Sequence, residues 1–466
     1  MIPLTLGALA DVVGGETYGE DDVLITGVSI DSRSIRPGDL FVPLVGDNVD
    51  GHDYIPAAMA GGAAGYLCGA AQQDAHDQTG GGVIVDDPLD ALTGLGYWIR
   101  DEVDPIVVAI TGSNGKTTTK DMTAAAIAAG RVTVANPGSF NNEIGLPLTL
   151  CLLTADTEIL VCEIGSRGIG HIAQVTPVLR PDIAIVTTIA GAHIGEFGSM
   201  DAVVQAKSEL IEGLVPGGVA ILNADVPACA AMAEVAPGRV VTFGLNHTAD
   251  MRPDSVTYDG RARATMHLGD LAIALPLPGS HQVGNALAAL AAAREVGVAL
   301  PDAARGLSDA TVSRWRMEVS HTAAGVTLLN DAYNANPDST AAALDTLARM
   351  AADGRRWAVL GYMAELGDHA GEGHREVGAR AVAAGIDGLV VVEARAQGIA
   401  DGAREAGFTG VIVTAADVGT AADEIIVRVA PGDVVLVKAS RSVGMERVAT
   451  ALVDAHRDDQ AEGNTS

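Results

Sequence analysis

The stretch Ile106-Val107-Val108-Ala109-Ile110-Thr111-Gly112-Ser113-Asn114-Gly115-Lys116-Thr117-Thr118-Thr119-Lys120 decides how the chain is read. Its first five residues are apolar, as in a strand buried on both faces of a parallel sheet. A glycine turn follows, then a helical pattern that runs to Ala129. Strand, glycine turn, helix start and a Lys-Thr pair are the parts of a phosphate-binding loop. Glycines let backbone N–H groups turn toward a polyphosphate, and the helix N-terminus adds partial positive charge. In that pattern Lys116 reaches the terminal phosphates and the Thr117 hydroxyl ligates Mg2+. The general pattern G-x-x-x-x-G-K-T has glycine where this chain has Ile110, so only G-x-x-G-K-T-T remains. The plain alternative is a glycine turn before an ordinary helix. The flanking strand and helix favour the phosphate loop.

A chain of 466 residues holds about two to four domains. It is 48% hydrophobic but only 3% aromatic, so its cores are built from Ala, Val, Leu and Ile. That composition suits branched strands beneath Ala-rich helices, an alternating strand–helix fold. The formal charge of -30 argues against nucleic acid or an anionic membrane surface as the main partner. Phosphate capture is local and is not excluded. Cys68, Cys151, Cys162 and Cys229 form no C-x-x-C pair and read as reduced core residues of a cytoplasmic protein. The N-terminal MIPLTLGALADVV reads as a first helix, since no basic residue precedes its apolar run. No apolar run reaches membrane-spanning length, and no repeat of fixed period is seen.

Taken in order, residues 1–104 form a first unit, with strands near Val28 and across Leu40–Leu44 and a helix opened by Asp50-Gly51-His52-Asp53. Alone, Asp31-Ser32-Arg33 reads as a capped turn with a surface ion pair. Residues 105–313 alternate strand and helix: strands Glu158–Ile164, Ile183–Thr187 and Val219–Leu222, helices near Ile169–Leu179, Asp201–Gly213 and Leu287–Val298. Met251–Leu277 alternates and is expected to extend that sheet in antiparallel fashion. Residues 314–457 carry strands Val326–Leu329, Trp357–Leu360, Leu389–Val392, Val411–Val413 and Val434–Val437, a second doubly wound sheet. The polar tail 458–466 reads as disordered.

Ligands of open parallel sheets bind outside the carboxyl ends of the strands. The phosphate loop, Glu163 and His193 each follow such a strand. Glu163 is either a charge turned to solvent or a carboxylate facing the site. His193 is either a satisfied loop histidine or a metal ligand, since Mg2+ sites are assembled from scattered groups.

The sequence resembles the Mur ligases, and among them the branch that adds D-alanyl-D-alanine to UDP-N-acetylmuramoyl-tripeptide. The resemblance runs from Asp31-Ser32-Arg33 and Pro37-Gly38-Asp39-Leu40-Phe41 to Val437-Lys438-Ala439-Ser440-Arg441-Ser442. The phosphate loop is shared across Mur ligases and folylpolyglutamate synthase. Asn141-Asn142-Glu143-Ile144-Gly145-Leu146-Pro147, Asn330-Asp331-Ala332-Tyr333-Asn334-Ala335-Asn336-Pro337 and Glu365-Leu366-Gly367 are more particular. The resemblance implies an α/β chain of three domains: an N-terminal α/β UDP-binding domain, a central phosphate-loop parallel-sheet ATPase-like domain and a mobile C-terminal Rossmann-like domain. It implies an ATP-dependent amide ligase working through an acyl phosphate in peptidoglycan synthesis, with ATP and two Mg2+ sites. The partners it implies are UDP-MurNAc-tripeptide, D-Ala-D-Ala and ATP, with no nucleic acid, no membrane insertion and a monomeric state.

Residue by residue, the resemblance implies that Gly112, Ser113, Asn114, Gly115, Lys116, Thr117 and Thr118 hold the phosphates. Thr117 and Glu163 would bind one Mg2+; His193 and Lys207, a lysine carbamylated in the family, would bind the second. Read alone, Lys207 is a solvated helix lysine. Asn142 would contact the γ-phosphate or acyl group, and His281 and Asn285 the adenine. Arg316 and Asp331 would reach triphosphate and ribose, and Ser32, Arg33, Tyr333, Asn334 and Asn336 would contact substrate. Two departures stand out: Tyr362 occupies a position that is usually charged in the family, and Gly138-Ser139-Phe140 replaces the commoner Gly-Asn-Leu. The alternatives are another amide ligase of the superfamily, such as a folylpolyglutamate synthase, a nucleotide-switch NTPase and a non-catalytic UDP-sugar binder. No N-K-x-D motif supports a GTPase, and the first-domain motifs speak against the folate enzyme.

Overall fold

The computed structural model describes residues 1–46, 48–72, 80–191, 194–245 and 248–455. His193 and the tail read as disordered lie outside the described residues. The chain falls into two compact units.

The first unit comprises Met1–Ala109, Arg131–Gly165 and Val175–Pro181. The expected first helix spans Leu6–Val13; Thr5 caps its start and Gly14 ends it in the left-handed conformation. Five strands form one sheet in the order Glu16–Tyr18, Gly82–Val85, Gly65–Gly69, Asp39–Phe41, Gly27–Ser29. The first pair is antiparallel and the others are parallel. Asp50 caps a single 3-10 turn over Gly51–Tyr54, and the helix proper starts at Ile55. Buried His52 holds that turn to the sheet, with Nδ1 on Asp50 and Nε2 accepting the Gly69 N–H. Further along, Thr133–Ala135 pairs in parallel with Ile159–Glu163, and the Ile106 N–H donates to the Glu158 carbonyl at 3.0 Å.

The second unit comprises Ile110–Gly130, Ser166–Gln174 and Asp182–Ser466. Ile183–Val186, Val219–Asn223 and Arg239–Phe243 pair in parallel. The phosphate-loop helix, Lys116–Ala128, packs on the helix His281–Glu295. The alanines at 286, 288, 289, 291, 292 and 293 of that partner are wholly buried, as the low aromatic content requires. The region expected to extend the parallel sheet instead forms its own antiparallel sheet of Ser255–Tyr258, Arg263–Leu268 and Leu271–Pro278. A four-residue turn over 259–262 and a two-residue turn over 269–270 let these strands satisfy one another without a crossover.

The last sheet has six strands in the order Glu318–His321, Thr327–Asn330, Val434–Lys438, Arg356–Leu360, Gly388–Val392, Val411–Ala415. Side chains alternate between its faces. Leu329, Leu436, Leu360 and Val391 enter one core, and Leu328, Val435, Val359 and Val390 enter the other. Only the first pair is antiparallel. The strands Thr133–Ala135, Arg239–Phe243 and Glu318–His321 were not anticipated. All three are sheet-edge strands, which lack the continuous apolar run that marks a strand covered on both faces.

Candidate active site

The phosphate loop has the backbone its glycines promise, with Gly112 at φ 142° and Gly115 at φ 81°. A Cβ on Gly112 would stand 2.1 Å from Thr187 Oγ1. The loop is gripped by the residues that follow strand Ile183–Val186. The Ser113 N–H donates to the Thr188 carbonyl at 2.8 Å, and the Asn114 N–H to Thr188 Oγ1 at 3.0 Å. Thr187 Oγ1 donates to the Asn114 carbonyl at 2.6 Å, and Ser113 Oγ to the Ala190 carbonyl at 3.0 Å. Lys116 folds over its own loop, its Nζ donating to the carbonyls of Gly112 at 2.8 Å and Ser113 at 3.3 Å. Thr117 and Thr118 are buried at the start of the helix.

Residues flanking the strands of the last sheet reach this loop. Arg316 donates from Nη2 to Thr117 Oγ1 at 2.8 Å, and its guanidinium lies 3.9 Å from the centre of the Tyr333 ring. Asn336 Nδ2 donates to Asn114 Oδ1 at 2.7 Å while Asn336 Oδ1 caps the helix Pro337–Arg349. Asp331 accepts the Met317 N–H at 3.1 Å and pairs with Lys438, whose Nζ also donates to the Asn334 carbonyl at 2.9 Å. On the other side of the loop, Thr119 donates to Asn285 Oδ1 at 3.2 Å. Asn285 Nδ2 donates to Gln282 Oε1, and Gln282 meets the exposed His281 ring.

Lys207 sits inside the helix Met200–Glu212 and is 2% exposed, so it is not a solvated lysine. Its Nζ donates to Ser166 Oγ at 2.7 Å and lies 5.5 Å over the Phe197 ring. Two residues on, the Glu209 carboxylate gathers the N–H groups of Gly170, Ile172 and Ala173, which fixes the segment that carries Ser166.

In the first unit Glu163 is 2% exposed and does not face solvent. Its Oε1 accepts from Asn141 Nδ2 at 2.7 Å, and its N–H donates to Asn136 Oδ1 at 2.9 Å. Asn142 Oδ1 accepts the Gly145 N–H at 2.9 Å and so starts the helix Gly145–Leu150. Ser32 and Arg33 lie in the exposed turn expected from the residues alone. Asp31 accepts the Arg33 N–H at 3.0 Å and pairs with its guanidinium at 2.8 Å, which holds the Asp31 carboxyl down at about 2. Among the described residues, no three His, Cys, Asp or Glu side chains gather to hold a metal. All four cysteines are buried and unbridged, and burial pushes the thiols of Cys151, Cys162 and Cys229 up to about 12.

The chain matches the Mur ligase family catalytic domain over residues 24–91, the Mur ligase middle domain over 110–293 and the Mur ligase glutamate ligase domain over 315–441. It is 39% identical to the UDP-N-acetylmuramoyl-tripeptide--D-alanyl-D-alanine ligase of Mycobacterium tuberculosis, across 97% of this chain and 98% of that one. The chain belongs to the Mur ligase family. Among solved structures, this Mur ligase is similar to MurF from Acinetobacter baumannii, with a TM-score of 0.84 and 28% identity over 97% of this chain and 99% of that one. It is also similar to the MurF ligase of Thermotoga maritima in complex with ADP, with a TM-score of 0.77 and 29% identity over 93% and 98% of the two chains. The three matched segments carry the three-domain α/β architecture of the family. No described helix is long and apolar enough to cross a membrane.

Several residues of this Mur ligase that hold the site together were given no role from the sequence, although Asn141 and Lys438 fall within the quoted family stretches. They are Thr187 and Thr188 behind the phosphate loop, Ser166 on Lys207, Asn141 on Glu163, and Lys438 on Asp331. The Thr187-Thr188 pair, directly after an apolar strand, was the available signal, because hydroxyls at a strand end fall beside the neighbouring loop. The partners of Lys207 and Asp331 lie 41 and 107 residues away in the chain, beyond any local pattern.

Proposed function

We propose that this Mur ligase is an ATP-dependent amide ligase that joins D-alanyl-D-alanine to the C-terminal carboxylate of UDP-N-acetylmuramoyl-tripeptide, giving the pentapeptide precursor of peptidoglycan. The observation that carries this reading is similarity along 97% of the chain to ligases of that name. The tripeptide carboxylate attacks the γ-phosphorus of ATP, giving an acyl phosphate and ADP. The dipeptide amine then adds to the acyl carbon, and phosphate leaves from the tetrahedral intermediate. No protein nucleophile is needed.

The electrostatic problem is to bring an anionic carboxylate to an anionic triphosphate. Lys116 already lies against the loop carbonyls, a short swing from any phosphate the loop takes. Arg316, its guanidinium 3.9 Å from the Tyr333 ring centre and bonded to Thr117, presents its charge at the same loop. Thr117 and Glu163 are hard oxygen donors suited to Mg2+, and a carbamate on Lys207 would add a third with His193 at a second ion. Mg2+ sites in nucleotide enzymes are completed by substrate phosphates, so a ready-made protein cage is not required. When bound, Mg2+ neutralises charge on the transferring phosphoryl group. We place the domain borders near 105 and 314, and the work in the cytoplasm as a monomer.

The test is ADP release from Mg-ATP with each substrate pair. Release that needs both UDP-MurNAc-tripeptide and D-Ala-D-Ala, with the amide product formed, is expected. Turnover without them, or with a folate and glutamate instead, would overturn the reading. Lys207→Ala is expected to lower ligation at least about a hundredfold, with partial rescue by short carboxylic acids. Wild-type rates in that variant would remove the carbamate.

A further inference from the structure

Asp121 follows the phosphate-loop motif directly, yet nothing in phosphate capture requires an acid there. It lies four residues after Thr117, so the two share one face of the helix. Its carboxylate is fully engaged. Oδ2 accepts both the N–H and the hydroxyl of Ser313, each at 2.8 Å, and Oδ1 pairs at 2.6 Å with Lys120, itself 2% exposed. Ser313 belongs to the linker between the helix Leu300–Ser308 and the strand Glu318–His321. Three residues further along the linker, Arg316 meets Thr117. The linker is therefore tied at two points one helical turn apart.

Between and beside those ties the backbone is unusual. Trp315 has φ 61° and Met317 φ 52°, in the left-handed region that bulky residues rarely enter. Such conformations persist only where both ends are held. Met317 is held by Asp331 and is 3% exposed; Trp315 lies 4.5 Å from the Arg441 guanidinium and accepts the Tyr333 N–H on its carbonyl. Ser313 is held by Asp121. Charge-assisted bonds of this kind are stronger than neutral ones.

We infer that Asp121 and Ser313 form a clasp that positions Arg316 for the nucleotide, making Asp121 a positioning residue rather than a catalytic one. The inference rests on the reading that the loop binds ATP. Without the clasp, the strained linker relaxes and Arg316 withdraws from Thr117.

The clean variant is Ser313→Ala, because removing Asp121 would also break its ion pair with the buried Lys120. Calorimetric affinity for Mg-ADP, the ligation KM for ATP and the thermal midpoint are measured together. Ser313→Ala is expected to weaken nucleotide binding about fivefold with the thermal midpoint retained. Ser313→Thr, which keeps the hydroxyl, restores it. In an Arg316→Ala background Ser313→Ala adds no further loss. Asp121→Asn is the second variant, and its loss is likewise expected only with Arg316 present. Wild-type affinity in Ser313→Ala, or an equal loss with and without Arg316, would overturn the clasp. A wild-type chain that binds Mg-ADP but does not ligate fails the functional reading alone, and the clasp is then judged on the affinity ratios. A wild-type chain that binds no nucleotide fails both.

Discussion

The phosphate loop and the loop Gly361-Tyr362-Met363-Ala364-Glu365-Leu366-Gly367 both leave the carboxyl end of a parallel strand, carry a glycine at positive φ and lead into a helix. They are completed in opposite ways. The phosphate loop is gripped from behind by Thr187, Thr188 and Ala190, and its lysine lies along the rim. The second loop is filled by its own chain. The Met363 N–H donates to His374 Nε2 at 3.0 Å, the Ala364 N–H to Ser440 Oγ at 2.8 Å and the Gly361 N–H to the Lys438 carbonyl at 3.0 Å. His374 is 1% exposed, Tyr362 stacks on it at 5.3 Å, and Arg395 lies 4.4 Å over Tyr362. A helix start offers amides with no partner in the helix, so a glycine turn becomes an anion site when its grip leaves that face to a ligand. Where a side chain such as His374 takes the loop amides, the same turn becomes a structural plug.

The strongest way to break this contrast is Gly112→Ala. The added methyl meets Thr187 Oγ1 at 2.1 Å and the Thr188 nitrogen at 3.0 Å, at a φ that L residues avoid. The loop cannot move away without losing the bonds that shape it. Ligation is expected to fall by about a thousandfold or more, with Mg-ADP binding lost in calorimetry. Near-normal binding would mean that the grip from behind does not shape the site.

The same contrast explains what was legible in the sequence. The phosphate loop was readable because strand, glycines and helix start fix its geometry locally. The alternation Leu328, Leu329 and Val435, Leu436 exposed the last sheet, since a strand covered on both faces is apolar throughout. Burial of Lys207 and Glu163 was not readable, because each depends on a polar partner elsewhere in the chain, Ser166 and Asn141. Asp31-Ser32-Arg33 shows the reverse case. Its residues close a turn and pair on the surface, with Arg33 88% exposed, so its substrate role stands on resemblance alone. The separate antiparallel sheet Ser255–Pro278 was misplaced because alternation reports a strand but not its neighbour.

A medium effect is expected at the plug. Burial lowers the pKa of His374 below its ordinary value, outweighing the bond from Nδ1 to the Ala370 carbonyl. The folded state thus holds a neutral imidazole where the unfolded chain takes up a proton, so its contribution is present above about pH 6.5 and is lost as the pH falls. Stability measured by denaturant should decline below that point by up to about 1.4 kcal/mol per pH unit from this residue. His374→Leu, which carries neither a titrating group nor an acceptor, should flatten that slope and cost about 2 kcal/mol at pH 7.5 through the orphaned Met363 amide, without changing Mg-ADP affinity. A loss of affinity matching that at Gly112 would erase the distinction between the two loops.

The smallest effect is expected at Tyr362, where the family usually carries a charge. Here the ring lies between His374 and Arg395, and Arg395 also pairs with Glu393. An acid at this position could pair with Arg395 but would give up the ring contacts. Tyr362→Glu therefore exchanges one partner of the guanidinium for another and should change stability by no more than about 1 kcal/mol. Ligation rates should stay within about twofold of wild type. A large fall in kcat with stability unchanged would show that this strand end takes part in the reaction, and that the plugged loop shares a role with the open one.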